Sequence, residues 1–390
     1  MFDFDTVIDR RGTGACKWER RSAYECTHGI LPMSVADMEL PVAPCVREAV
    51  VKAAEHGVYG YTEATPRYYD ALLGWMKARH GMAATAGDVA SIGGVVPALG
   101  IAIRAFTRPG EGVIVQPPVY PPFRASVERN GRRVELCPLA LTDGRYEMDF
   151  EALERAAKKP DVTLLLLCSP HNPVGRVWTR EELLRVEEIC RANGVLVVSD
   201  EIHSDLILTG KHIPYANLSD AARAHCIVCT APSKTFNIPG LQCANVFAFD
   251  EDLRARFKAQ AQIDGFDNLS YFGYAAAIAA YEGGSPWLDA VLAYIQGNYD
   301  CLVAFLSEHM QCLKVFPMEG TYLAWVDFRA LGLDNQALEH FTREEAHLIL
   351  DEGYIFGPEG DGFERINLAL PRVELQKALE RLLDAYRRRF

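Results

Sequence analysis

From about residue 90 the chain alternates short, continuously apolar runs with amphipathic stretches. The runs are "EGVIVQ" (111–116), "RRVELCPL" (132–139), "VTLLLLCSP" (162–170), "GVLVVSDE" (194–201), "CIVCT" (226–230) and "ANVFAF" (244–249). Helical patterns such as "MDFEALERAAKK" and "TREELLRVEEICRANG" separate several of them. Apolar strands alternating with helices predict a mainly parallel sheet covered on both faces, an α/β architecture. Before them, "PCVREAVVKAAEHG" predicts a helix that Gly57 stops, and "PRYYDALLGWMKARHG" a second one. The segment up to Leu40 has no clear period and is expected to be irregular. Past residue 281 come a long helical pattern (Trp287 to Met310), the stretch "FPMEGTYLAWVDFRAL" and a last helix from Val373. These predict a smaller α+β domain. The expected division is 1–45 (an N-terminal segment joining the small domain), 46–280 (the large domain) and 281–390 (the small domain).

In such sheets ligands sit at the carboxyl ends of the strands. The residues following the runs are "PPVYPP", "SPHNPVG", "DEIHSD" and "APSK", where the unusual polar groups concentrate. Each has a plain structural alternative. Asp200 could be a helix cap, Asn172 a turn former, Tyr120 a packing aromatic, Gly93 and Gly94 a tight turn, and Lys234 a solvated charge. His203 in "EIHSDL" could be a core histidine at the start of a strand. Taken together they supply an amine, a carboxylate, an amide, an aromatic face and a glycine-led helix start, which are the parts of a pyridoxal phosphate site.

Composition narrows the picture. A net charge of −12 in 390 residues argues against a nucleic-acid surface. No apolar run reaches the roughly 18 residues of a membrane span. Eleven cysteines with no leader pattern suit reduced thiols, so a soluble, cytoplasmic protein is expected. The C-x-x-C at Cys226 and Cys229 is no metal site by this reading, because period two places the pair on opposite faces of a strand. No metal is expected elsewhere.

The ordered features, with Arg365 in "GFERINLALPR", resemble the fold-type I pyridoxal phosphate enzymes of the aspartate aminotransferase superfamily. "VADMELP", "GVYGYTEATPRYYDAL", "CSPHNPVGRVWT", "SDEIHSDL" and "APSKTFNIPGL" resemble its MalY/PatB branch, the cystathionine β-lyase or carbon–sulfur lyase group, across residues 2 to 386. The resemblance implies a fold-type I transferase fold with a seven-stranded sheet and pyridoxal 5′-phosphate as cofactor. It implies that Lys234 binds the cofactor's aldehyde carbon and moves the Cα proton, that Asp200 pairs with the ring nitrogen, and that Asn172 bonds the ring oxygen. Tyr120 would stack on the ring, while the N–H groups of Val95 and Val96, with Ser233, would hold the phosphate. Tyr61 would reach the phosphate of a partner subunit in a homodimer, and Arg365, with Asn172 and Asp37, would bind the amino-acid substrate. His203 stands where many aminotransferases carry Tyr, Gln242 where they carry Arg, Ala231 where they carry Ser, and Ser34 where a Trp often precedes "VADM". The reaction implied is β-elimination from L-cystathionine or another S-substituted L-cysteine. An aminotransferase of aromatic or neutral amino acids and a regulatory binding protein on the same fold are the alternatives.

Overall fold

A computed structural model describes residues 2–19, 29–266 and 268–390. The part of the N-terminal segment at 20–28 lies outside the described residues. The central sheet has seven strands: β1 (Val89–Ile92), β2 (Gly112–Val115), β3 (Arg133–Leu136), β4 (Val162–Cys168), β5 (Leu196–Asp200), β6 (Cys226–Thr230) and β7 (Ala244–Phe247). Their spatial order is β1-β7-β6-β5-β4-β2-β3. All neighbouring pairs from β6 to β3 are parallel, whereas β7 runs antiparallel to both β6 and β1. The sheet is therefore mainly parallel, with one reversed strand inside it.

Side-chain alternation builds a separate core on each face of this sheet. Leu164 and Leu166 pack on the side of the helix Val95–Phe106, and Leu165 and Leu167 on the other. Cys226 and Cys229 divide in the same way, one in each core, so the C-x-x-C forms no joint site.

Local signals place the helices. The predicted first helix spans Pro44–His56 and ends at Gly57, whose φ of 73° lets its N–H return to the Ala54 carbonyl. The pattern in "TREELLRVEEICRANG" becomes the helix Arg180–Ala192, opened by a reciprocal Thr179/Glu182 capping box. The long C-terminal pattern is one helix, Ser285–His309, and the last helix is Arg372–Arg389.

The smaller part of the molecule holds an antiparallel four-stranded sheet of β8 (Lys314–Val315), β9 (Leu323–Asp327), β10 (Asp351–Glu352) and β11 (Phe363–Asn367), in the order β8-β9-β11-β10. The N-terminal segment is less irregular than its pattern suggested. It contains a short helix, Cys16–Glu19, and a two-residue strand, Leu31–Pro32, paired in parallel with Leu348–Ile349. "EIHSDL" does not begin a strand: residues 202–205 form turns, with Leu206 N–H bonded to the His203 carbonyl. Among the described residues no helix is long and apolar enough to cross a membrane.

Candidate active site

The strands β1, β2, β4, β5 and β6 all run the same way, so their carboxyl ends share one edge of the sheet. A cavity of about 190 Å³ opens there, lined by Ala36, Gly93, Gly94, Val95, Val96, Tyr120, Asn172, Asp200, His203, Ser233 and Lys234, with Gln242 and Cys168 among its other walls. Residues as distant as 36 and 234 meet because each sits just beyond its own strand or on a loop that crosses the edge.

Lys234 lies in a single helical turn, Pro232–Thr235, directly after β6. Its ammonium donates to the Ala36 carbonyl, which also accepts the Tyr322 hydroxyl at 2.8 Å. Burial, aided by the Arg365 charge and opposed by Asp37 and Asp200, lowers its pKa to about 8. The side chain turns into the cavity and bonds the Ala36 carbonyl rather than lying in solvent.

Asp200 ends β5, and its carboxylate accepts one hydrogen bond, from the Ile202 N–H at 3.1 Å. Burial raises its pKa to about 7, against the opposing effects of that N–H and of Lys234. His203 is buried on the cavity wall, its Nδ1 has no partner among the described residues, and burial with the Lys234 and Arg365 charges lowers its pKa to about 3. The ring is therefore neutral. Tyr120 contributes its ring to the lining, and burial raises the pKa of its phenol.

Arg365 is on β11 and reaches Asn172 Oδ1 with Nη1 at 2.8 Å. A guanidinium only donates, so this contact fixes the amide's orientation and leaves Asn172 Nδ2 free to donate. The backbone of Asn172 is held by its carbonyl, which accepts the Tyr120 N–H at 3.0 Å. Gly94 precedes the twelve-residue helix Val95–Phe106, whose first N–H groups have no intrahelical acceptor. Together with the Ser233 hydroxyl they form an anion cradle at a positive helix end.

Three expected residues lie apart from this lining: Arg365, which reaches it through Asn172, and Asp37 and Tyr61. The Asp37 carboxylate forms ion pairs with Lys17 at 2.9 Å and Arg10 at 2.7 Å, so it is engaged from the N-terminal side. Tyr61 is fully exposed and does not line the cavity of its own chain. Sequence reasoning also missed Asp351, which grips Arg365, and Asn367, whose Nδ2 bonds the Val35 and Asp37 carbonyls at 2.7 Å each. Asn367 lies in the quoted "ERINLALPR", and its period-two relation to Arg365 on one strand was the available signal.

Pyridoxal phosphate fits this donor set. A buried carboxylate with a single donor suits a ring N–H, a free amide N–H suits a ring oxygen, and the cradle suits a phosphate, while the lysine amine suits an aldehyde. Among the described residues no cationic side chain other than Lys234 lines the cavity, so the phosphate end offers neutral donors only.

Comparison with known proteins agrees. Residues 29–382 match the model of the family "Aminotransferase class I and II". The chain is 43% identical over 384 residues to cystathionine beta-lyase PatB of Bacillus subtilis, covering 98% of this chain and 99% of that protein. It is 36% identical over 393 residues to protein MalY of Escherichia coli, with 99% of each covered. The structure superposes on cystalysin from Treponema denticola, which contains pyridoxal 5′-phosphate, with a TM-score of 0.95 at 38% identity, covering 100% of this chain and 99% of that one. The protein thus has the fold-type I architecture and belongs to the class I and II aminotransferase family, within the branch that holds PatB and MalY.

Proposed function

We propose that this chain is a pyridoxal-phosphate-dependent carbon–sulfur β-lyase that cleaves L-cystathionine or a related S-substituted L-cysteine to a thiol, pyruvate and ammonia. The observation that carries the reading is the convergence of Lys234, Asp200, Asn172 and Tyr120 on one cavity beside a helix start. The choice of a lyase over an aminotransferase is supported by the names of PatB and of the other cystathionine β-lyases this chain resembles, such as that of Corynebacterium glutamicum at 33% identity over 97% of this chain.

When bound, pyridoxal phosphate supplies a ring that withdraws electrons from the substrate's Cα. Lys234, with an acidity near 8, has a usable neutral fraction close to neutral pH and takes the Cα proton. Asp200 would pair with a protonated ring nitrogen, and Asn172 Nδ2 would donate to the ring oxygen. Tyr120 would pack on the ring face, and the Val95 and Val96 N–H groups with Ser233 Oγ would hold the phosphate. Arg365 takes the α-carboxylate, as guanidinium geometry suits, while neutral His203 closes the wall without adding charge. The Cα electron pair would form a Cα=Cβ double bond as the Cβ–S bond breaks and the sulfur leaves as thiolate, and water would hydrolyse the released three-carbon enamine to pyruvate and ammonia. Asp37, ion-paired with Lys17 and Arg10, would hold in place the segment that carries the Ala36 carbonyl.

The protein acts in this reading as a cytoplasmic homodimer, in which Tyr61 reaches the partner's phosphate cradle. Support comes from the exposed apolar surface at Val58, Tyr59 and Tyr61 and from cysteines that are free and mostly buried. The division into segments 1–45, 46–280 and 281–390 is supported by the pairing of Leu31–Pro32 with Leu348–Ile349.

Incubation of the cofactor-loaded protein with L-cystathionine and no keto acid tests the function. Pyruvate and thiol should form in equal amounts. Turnover only in the presence of a keto acid would replace the lyase by the aminotransferase.

A further inference from the structure

The substrate-carboxylate arginine is not free to turn. Asp351 on β10 lies directly across from Arg365 on β11, as cross-strand partners of an antiparallel pair. Asp351 Oδ2 accepts from Arg365 Nε at 3.0 Å and from Nη2 at 2.5 Å, and Phe356 lies under the guanidinium, its ring centre 4.8 Å away. Asn172 takes one further N–H from Nη1. A guanidinium carries five N–H donors, so this arrangement leaves one on each of Nη1 and Nη2. The other oxygen, Asp351 Oδ1, accepts from the Val35 N–H at 3.4 Å. Val35 is a β-branched residue at φ 55°, a costly conformation that needs fixed neighbours, and it precedes the Ala36 carbonyl to which Lys234 donates.

We propose that Asp351 is a positioning residue: it occupies one edge of Arg365, so that the amino-acid α-carboxylate is taken by the two remaining N–H groups. The same carboxylate ties this clamp to the Val35–Ala36 segment above Lys234. The inference rests on the proposed role of Arg365 in an amino-acid-cleaving enzyme. Without Asp351, Arg365 keeps its charge but gains rotational freedom, and the loss should fall on ligands that present a carboxylate.

The test is binding of L-alanine and of L-alaninamide, which lacks the carboxylate charge, to cofactor-loaded protein, followed by absorbance. Asp351→Ala should weaken L-alanine by about tenfold or more, the scale of a lost hydrogen bond to a charged group. L-Alaninamide should change by no more than about twofold, and in an Arg365→Ala background Asp351→Ala should add no further loss for L-alanine, as a shared role requires. Asp351→Asn serves as the second variant if the alanine form does not fold. Equal weakening of both ligands, no weakening, or a loss that persists in the Arg365→Ala background would overturn the proposal. A wild-type protein that takes up no cofactor or releases no pyruvate would instead defeat the functional reading on which it rests.

Discussion

At the scale of single residues the site is defined by groups held away from their ordinary protonation. Folded Asp200 keeps its proton up to about 7, whereas an unfolded chain releases it near 3.8, so between those values the folded cofactor-free protein binds more protons. That contribution to stability is fully present below 3.8 and is lost as pH rises through about 7. Asp200→Asn cannot titrate, so its urea midpoint should lack this part of the pH slope, and added cofactor should reduce the slope in wild type by supplying a cationic partner. Equal slopes for the cofactor-free wild type and variant would show that Asp200 is not the buried acid of the site. That Lys234, Asp200, Asn172 and Tyr120 meet at one cavity was legible in the sequence, because each follows a recognisable strand or turn. Asp351 was not, because its proposed role depends on the register of two antiparallel strands whose connection runs through two short 3₁₀ turns, Gly353–Phe356 and Pro358–Gly360. The Asp37 pairing was hidden too, since Lys17 and Arg10 lie in a segment with no period to place them.

At the scale of elements, strands bring the residues to one edge and the turns after them aim the side chains. The "NPVG" turn after β4 carries Asn172 and packs against the smaller part of the molecule: the Gly175 carbonyl accepts the N–H groups of Glu319 and Gly320 at 2.9 and 3.0 Å. Gly175 has φ +70°, and a Cβ there would lie 3.3 Å from Met318 Cα. Gly175→Ala should therefore cost about 1–3 kcal/mol in urea unfolding and also lower turnover, because the turn sets the height of Asn172. Unchanged stability would mean that the turn yields without strain. The six apolar runs each yielded a strand of the large sheet; five are buried on both faces, and the sixth, Arg133–Leu136, is a partly exposed edge strand. The first strand, "VASI", is short, lies at the edge and is interrupted by Ser91, so no such run marks it. The reversal of β7 was equally invisible, since direction depends on the connections rather than on the strand's own residues.

At the scale of the whole molecule, the described chain leaves Tyr61 in the open while the phosphate cradle lacks any cationic side chain except Lys234 nearby. In the proposed symmetric dimer each subunit would lend Tyr61 to the other's cradle, which would account for its exposure and add one more neutral donor to the phosphate. Lys234→Ala and Tyr61→Ala subunits, each poorly active alone, should regain activity when mixed and reassembled. A hybrid dimer has one site with both residues intact, so an even mixture should recover about a quarter of the wild-type rate. No recovery despite hybrid formation would place Tyr61 outside the partner's site. The larger claim, that one cavity at the carboxyl edge of the sheet is built around an aldehyde cofactor, has a direct test. The cofactor-loaded protein is reduced with borohydride, digested, and its peptides are mapped by mass. A single pyridoxyl-phosphate modification on Lys234 is the predicted result; modification of another lysine, or of none, would contradict the account.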